Sequence, residues 1–404
     1  MTNLKAAQRV ERISTSPSAI ASQRARELRA EGHDILALSA GEPDFQTPPH
    51  VIEAAHKAML GGQTKYTTIS GTPELKAAIQ EKFRRENGLD YANDEIMVST
   101  GAKQVIFNAI MAMVEKGDEV IVPAPYWISY EQIVQLANGT TKIVRCGPEA
   151  GFKLSAEALK KSITPDTRLL MLNTPSNPSG AVYTAEDLKE LADVLRKHPN
   201  VWILTDDIYE RIVFDGRKAA TIAAVAPDLK DRTLIVNGVS KAYAMTGFRI
   251  GYAAGPSELL SQMLKVQSQS TSGPSSVGQA AAVAALTGPQ DFVENCRKAY
   301  QERRDLIVSM LNQTTGLTCQ TPEGAFYAFP DCSGLMGTTT PEGKKIENDR
   351  DLVMHFMDDH GVALVHGAAY GLSPNFRVSF AASMEVLEEA GRRIQTAANA
   401  LVKT

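Results

Sequence analysis

Seven short apolar runs recur between residues 96 and 255: Ile96-Met97-Val98, Val120-Ile121-Val122, Ile143-Val144, Leu169 to Leu172, Val201 to Leu204, Leu234 to Val236, and Ile250 to Ala254. Amphipathic stretches separate them. Alternation of that kind predicts a largely parallel sheet wrapped in helices, because parallel neighbours need a crossover connection and a helix supplies it. The helices have their own start signals. Thr184 precedes Leu188, Leu191, Ala192 and Leu195 at helical spacing, with Asp187 placed to complete a capping box. Thr72-Pro73 opens another, with Leu75, Ala78 and Ile79 on one face.

At 404 residues the chain exceeds what one core usually accommodates, so more than one domain is expected. After Gly288 the pattern changes to a long charged helix, Asp291 to Leu311. A strand-like run Gly324 to Phe329 follows, then a helix around Leu352 to Met357 and strands Val362 to Val365 and Phe376 to Phe380. This half reads as a smaller α+β domain. The Gly-, Thr-, Pro- and Lys-rich segment Gly334 to Asn348 reads as a mobile surface loop.

Composition narrows the function. The chain is 43% hydrophobic and 22% charged, with a formal net charge of -4, which describes a globular protein without a basic footprint for nucleic acid. Cys146, Cys296, Cys319 and Cys332 are scattered and form no C-x-x-C pair, so no zinc or redox motif is predicted. Met1 to Ser16 lacks the apolar stretch of a secretory signal, and Val277 to Leu286 is too short to span a bilayer. A cytoplasmic protein with no membrane partner is expected.

The candidate chemistry gathers at the ends of the predicted strands, where open α/β sheets bind ligands. Lys241 follows the run Leu234 to Val236 within Asn237-Gly238-Val239-Ser240-Lys241. A lysine there can be desolvated enough to act as a free amine and attack a carbonyl. Asp206 and Tyr209 follow the run Val201 to Leu204, and a buried carboxylate beside an aromatic nitrogen keeps that nitrogen protonated. Asn177, in a Pro- and Gly-rich turn after Leu172, can donate to a ring oxygen. Ser99-Thr100-Gly101-Ala102-Lys103 follows a strand and opens a helix, a place for backbone N–H groups to cradle a phosphate that Arg249 would neutralise. Trp127 can stack on a planar group. On the strand Phe376 to Phe380, Arg377 and Ser379 face away from Phe376, Val378 and Phe380, which by itself leaves open an edge-strand surface arginine or a two-pronged fork for a carboxylate.

These residues resemble those of the fold-type I pyridoxal phosphate aminotransferases, most closely the bacterial aspartate aminotransferases of class I, subgroup beta. The resemblance runs from Ala40-Gly41-Glu42-Pro43-Asp44 to Phe376-Arg377-Val378-Ser379. It implies a large domain with a mostly parallel seven-stranded sheet flanked by helices, plus a smaller α+β domain. The boundaries expected are an N-terminal arm and part of the small domain at 1–48, a large cofactor-binding domain at 49–290 and a small C-terminal domain at 291–404. By that likeness Lys241 joins pyridoxal 5'-phosphate as an imine and shuttles the proton, Asp206 pairs the ring nitrogen, and Tyr209 and Asn177 bond the ring oxygen. Trp127 stacks on the ring, while Ala102, Lys103, Ser240 and Arg249 surround the phosphate. Arg377 grips the substrate α-carboxylate beside Gly41, and Lys103 is associated with the distal carboxylate of aspartate or glutamate. Tyr66 would reach the neighbouring subunit's site, which implies a homodimer.

The implied reaction moves the amino group of L-aspartate to 2-oxoglutarate by ping-pong kinetics. One departure bears on specificity: the family's Pro-Ser-Ala-Thr reads Pro17-Ser18-Ala19-Ile20, which predicts an apolar group in place of a hydroxyl near the substrate side chain and a broader, aromatic or prephenate-like range. A lyase on the same scaffold is the alternative, since fold alone does not decide reaction. A hydrolase is disfavoured because Gly238-Val239-Ser240-Lys241-Ala242 lacks the final glycine of G-x-S-x-G. Shared metal ligation by His355 and His360 is disfavoured by their spacing on a helix.

Overall fold

The computed structural model describes residues 5–403, so Met1 to Leu4 and Thr404, at the outer ends of the first and last expected units, lie outside the described residues. All seven apolar runs form strands of one sheet: β1 (Ile96–Ser99), β2 (Glu119–Ala124), β3 (Thr140–Arg145), β4 (Thr167–Asn173), β5 (Trp202–Asp206), β6 (Thr233–Gly238) and β7 (Gly251–Ala254). Their spatial order is β1-β7-β6-β5-β4-β2-β3. The pairs from β6 through β5, β4 and β2 to β3 are parallel, whereas β7 runs antiparallel to both its neighbours. Its reversal follows from the connection. Between Gly238 and Gly251 the chain makes no α-helix, only the short 3-10 turn Thr246–Phe248, and a parallel return requires a longer crossover.

Helices cover both faces, so successive residues of a central strand enter different cores. Leu169 and Met171 pack with Val122, Leu204 and Val236, while Leu170 and Leu172 pack with Ile121, Ile203 and Leu191. That accounts for continuous apolar runs in place of alternation. The helix starts read from sequence are present: Thr184 and Asp187 close a capping box, and the Thr72 hydroxyl accepts from Leu75 N above Pro73. Several strands extend past their apolar run into polar residues. Register aligns Asn173 with Asp206, and Asp206 with Val236, so the carboxyl ends of β4, β5 and β6 lie side by side.

The smaller α+β part carries a three-stranded antiparallel sheet of β8 (Tyr327–Ala328), β9 (Val365–His366) and β10 (Phe376–Ser379), with β10 in the middle. Arg377 is therefore on a central strand. The expected strand Val362 to Val365 divides: Val362–Ala363 pairs in parallel with Leu36–Ala37, whereas β9 turns to pair with β10. The expected loop Gly334 to Asn348 is tied down. Thr338–Thr339 pairs with Val402–Lys403, and Leu335 and Ile346 are buried in the core of this part. The polar composition hid two apolar anchors. All four cysteines are free and buried, and no helix among the described residues is long and apolar enough to cross a membrane.

A buried ion pair lies behind the sheet edge. Lys82, 2% exposed, meets Glu210, whose carboxylate also accepts from Asn87 (2.9 Å) and Asn237 (2.7 Å). The bond from Asn237 ties the turn after β5 to the end of β6. Lys82→Met is expected to lower thermal stability by about 3 kcal/mol or more, because Glu210 stays buried without its cation. The double variant Lys82→Met/Glu210→Leu should recover part of that loss in a melting experiment; a double variant no more stable than the single one would contradict the assignment.

Candidate active site

The ends of β4, β5 and β6, the start of the helix Ala102–Met113, the helix Pro17–Ala30 and β10 enclose a cavity of about 420 Å³. Of the residues singled out from sequence, Gly41, Ala102, Lys103, Trp127, Asn177, Asp206, Tyr209, Ser240, Lys241, Arg249 and Arg377 all line it. Strand geometry explains the gathering. Parallel neighbours bring their carboxyl ends to one edge, and the polar residues that follow each apolar run project there.

Lys241 is half-buried, and its Nζ donates to the Gly41 carbonyl at 2.6 Å. Its pKa is lowered to about 8, first by burial and then by the Arg377 charge, against the opposing pull of Glu42. An appreciable fraction of free amine therefore exists near neutral pH. Asp206 is 4% exposed, and its Oδ2 accepts from the Tyr130 hydroxyl at 2.6 Å. Burial raises its pKa to about 6, opposed by the Tyr130 bond and by Ile208 N. A cationic partner in the cavity would stabilise the ionised form.

Asn177 and Arg377 are joined directly: Arg377 Nη1 donates to Asn177 Oδ1 at 3.0 Å, and Nη2 donates to the Ser39 carbonyl at 2.5 Å. With its oxygen committed, the Asn177 amide offers its NH2 as the remaining donor. The Arg377 guanidinium also lies 4.6 Å from the Tyr327 ring centre and 5.2 Å from that of Tyr370. Tyr209 and Tyr327 share a 2.7 Å hydroxyl contact, and burial pushes the Tyr209 phenol well above its ordinary range. Gly41 is required by this packing, since a Cβ there would sit 2.7 Å from the Tyr327 hydroxyl.

At the other end, Gly101 adopts φ +86°, and a Cβ on it would lie 2.4 Å from Arg249 Nη2. Glycine thus lets the helix start and the guanidinium converge, with the Ala102 N–H at the first turn. A helix start with bare N–H groups beside a guanidinium suits an anion. Arg249 itself is left-handed at φ 56°, with Nη1 donating to the Thr246 carbonyl at 2.9 Å. Lys103 stands exposed at the cavity mouth, but its amine lies 4.8 Å over the Trp127 ring. Desolvation there, then repulsion from Arg249, lowers its pKa.

Tyr66, expected to serve a neighbouring subunit's site, lies outside its own chain's cavity and stands 96% exposed. One expectation resolves differently. Ile20 is 56% exposed and does not line the cavity either. A helix begins at Pro17, and Ser18, Ala19 and Ser22 share its inward face while Ile20 is rotated away. The apolar replacement predicted beside the substrate is thus not found, and serine hydroxyls occupy that wall. Sequence reading missed Tyr130, Tyr327, Tyr370 and Ser39. Tyr130, one turn after Trp127, was detectable by helical spacing; the others depend on contacts between distant segments. His355 pairs with Asp359 at 2.8 Å outside the cavity, and the described residues hold no cluster of His, Cys, Asp and Glu suited to a metal ion.

A buried acid and a titration-shifted lysine at the edge of the large sheet share one cavity with an arginine of the smaller sheet, the setting of a group-transfer enzyme, and the chain belongs to the aminotransferase class I and II family, which matches residues 33–394. Its relatives are similar over nearly the whole chain. It is 55% identical over 384 residues to a probable aspartate/prephenate aminotransferase of Rhizobium leguminosarum bv. phaseoli, covering 95% of this chain and 96% of the relative. It is 54% identical over 395 residues to an aspartate aminotransferase of Rhizobium meliloti strain 1021, covering 98% and 96%. The crystal structure of the aspartate aminotransferase from Rhizobium meliloti superposes with a TM-score of 0.96 at 53% identity, covering 99% of this chain and all of that one.

In the cofactor-free protein, acylation of Lys241 by an amine-directed reagent should rise with pH through a midpoint near 8, because the neutral amine is the nucleophile. Peptide mapping of the modified site follows it. A midpoint at the ordinary lysine value of 10.5 would contradict the site's electrostatics.

Proposed function

We propose that the protein is a pyridoxal 5'-phosphate-dependent aspartate aminotransferase that moves the amino group of L-aspartate to 2-oxoglutarate, giving oxaloacetate and L-glutamate by ping-pong kinetics. The observation that carries this reading is one cavity holding the Lys241 amine, the Asp206 carboxylate and the Arg377 guanidinium. The near-full-length similarity to aspartate aminotransferases supports the substrate.

The residues present fit the cofactor: the glycine-opened cradle at Gly101 takes a phosphate, and a buried carboxylate at the far end takes a ring cation. When bound, pyridoxal phosphate supplies an electron sink that makes the substrate Cα–H acidic. Ala102 N–H, Ser240, Lys103 and Arg249 would hold its phosphate, Asp206 its ring nitrogen, Asn177 and Tyr209 its ring oxygen, and Trp127 its face. Arg377 orients the substrate through its α-carboxylate, next to Gly41. Lys241 Nζ is the amine placed to attach the cofactor, and, once free, to take a proton and return it; a pKa near operating pH suits both directions. Lys103 at the mouth offers a cation to a distal carboxylate.

We further propose the three-part organisation of 1–48, 49–290 and 291–404; the sheet-facing apolar clusters, which draw on 49–290 almost alone, support the middle boundary pair. A homodimer is proposed in which Tyr66 completes the neighbouring site, supported by a tyrosine that projects almost wholly into solvent in the single chain. A cytoplasmic location is supported by four unpaired cysteines. A second reading, prephenate as an additional acceptor, is favoured by the hydroxyl-lined wall, where Ser18 Oγ lies 3.4 Å from Tyr370 Oη and Ser22 Oγ 3.2 Å from Ser39 Oγ. The name of the Rhizobium leguminosarum relative agrees with it.

Lys241→Ala is expected to abolish turnover with aspartate and 2-oxoglutarate while leaving the circular dichroism spectrum unchanged; retained transamination would sink the assignment. For Lys103→Ser, kcat/KM should fall about tenfold with aspartate, the loss of one charge-assisted bond, and distinctly less with phenylalanine. Equal losses would mean that the distal carboxylate is held elsewhere.

A further inference from the structure

Tyr130 lines the cavity yet has no part in the roles assigned above. It is 2% exposed in the first turn of the helix Ser129–Leu136, and its hydroxyl donates to Asp206 Oδ2 at 2.6 Å. The second carboxylate oxygen, Oδ1, accepts a longer 3.4 Å contact from Ile208 N. The Tyr130 ring also meets Trp127 edge to face, centroids 5.4 Å apart at 87°. One side chain therefore braces both the acid at the base of the cavity and the aromatic wall beside it.

We infer that Tyr130 is a positioning residue whose hydroxyl keeps Asp206 ionised and engaged through Oδ2, so that Oδ1 is presented to the ring nitrogen of the cofactor. This rests on the pyridoxal phosphate reading. A hydrogen bond donated to a carboxylate favours its charged form, and Asp206 needs that help because burial works against it. Three titratable groups face it: Tyr130 from the helix, Lys241 from beyond β6 and Tyr209 from the following turn. Asp207, next along the chain, is turned to other partners, its Oδ1 accepting from Thr205 at 2.5 Å and its carboxyl coupled to Glu210 and Lys82. Among the interactions that oppose burial, the Tyr130 bond is the largest, ahead of Ile208 N and the Lys241 charge. Burial, then Asp206, pushes the Tyr130 phenol far above its ordinary range, so its proton stays on oxygen and the bond keeps its direction.

Tyr130→Phe keeps the ring against Trp127 and removes only the hydroxyl. The test titrates pyridoxal phosphate into cofactor-free wild type and variant across roughly pH 5 to 8.5, reading affinity by quenching of tryptophan fluorescence. Lys241 must be neutral to attach the cofactor and Asp206 ionised to hold a ring cation, so affinity falls towards acid in two steps, near 8 and near 6, and the lower one, the acid limb, is the Asp206 protonation. In the variant the Asp206 pKa rises, the acid limb should move up by about one pH unit, and affinity at neutral pH should fall about tenfold, the weight of one hydrogen bond to a charged group. A purely structural role would weaken binding evenly across pH. Tyr130→3-fluorotyrosine, nearly isosteric and a stronger donor, should move the limb the other way. Limbs that stay in place in both variants overturn the inference while the cofactor reading stands; wild type that takes up no pyridoxal phosphate overturns both.

Discussion

The structure is organised around a carboxylate and an amine held at the same edge of a sheet. Asp206 ends β5, and Lys241 lies just beyond β6, the strand paired with it in parallel. Hydrogen bonding between those strands fixes the distance between an acid and a base whose pKa values, about 6 and about 8, have been drawn towards each other by burial. Neither would be so shifted on a loop in water. The buried helices and the continuous apolar runs of the sheet create the low-dielectric setting in which these two groups become chemically useful.

Around that pair, each further group comes from a different stretch of chain. Gly41 enters from the N-terminal segment, Gly101 and Ala102 from a helix start, Arg377 from the middle strand of the smaller sheet. Segment 40–45 links them, because the Gly41 carbonyl receives the Lys241 amine while Asp44 pairs in two-pronged fashion with Arg303 of the long helix Asp291–Asn312, at 2.7 and 2.9 Å. The smaller part of the molecule is thereby connected to the amine through three residues of backbone.

Much of this was legible in the sequence. The seven runs, both capping signals and the polar residues after β4, β5 and β6 each obey a local rule, and the motif from Ala40 to Asp44 and the arginine at 377 obey a family pattern. What escaped was non-local. The reversal of β7 depends on a connection without a helix, not on the residues of the strand. The Gly334 to Asn348 segment looked like a loop because Leu335 and Ile346 are sparse anchors in a polar stretch. Ile20 was misjudged because a helix begins at Pro17 and turns that side chain outward. Tyr327 and Tyr370 were invisible as site residues because aromatic residues in a strand or turn ordinarily signal core, and only folding brings their faces to the Arg377 cation.

That guanidinium carries one more consequence. Its hydrogen-bond partners are a side-chain amide and a backbone carbonyl, its neighbours are ring faces, and its Nε is buried without a partner among the described residues. A full positive charge has been taken out of water with no carboxylate paired to it among the described residues and with the Lys241 amine within its field, which is energetically unfavourable until an anion arrives. On the proposed reading, selection for amino acids over simple amines follows from the unliganded protein: a compound without a carboxyl group would leave the cation as uncompensated as before, whatever else it touched.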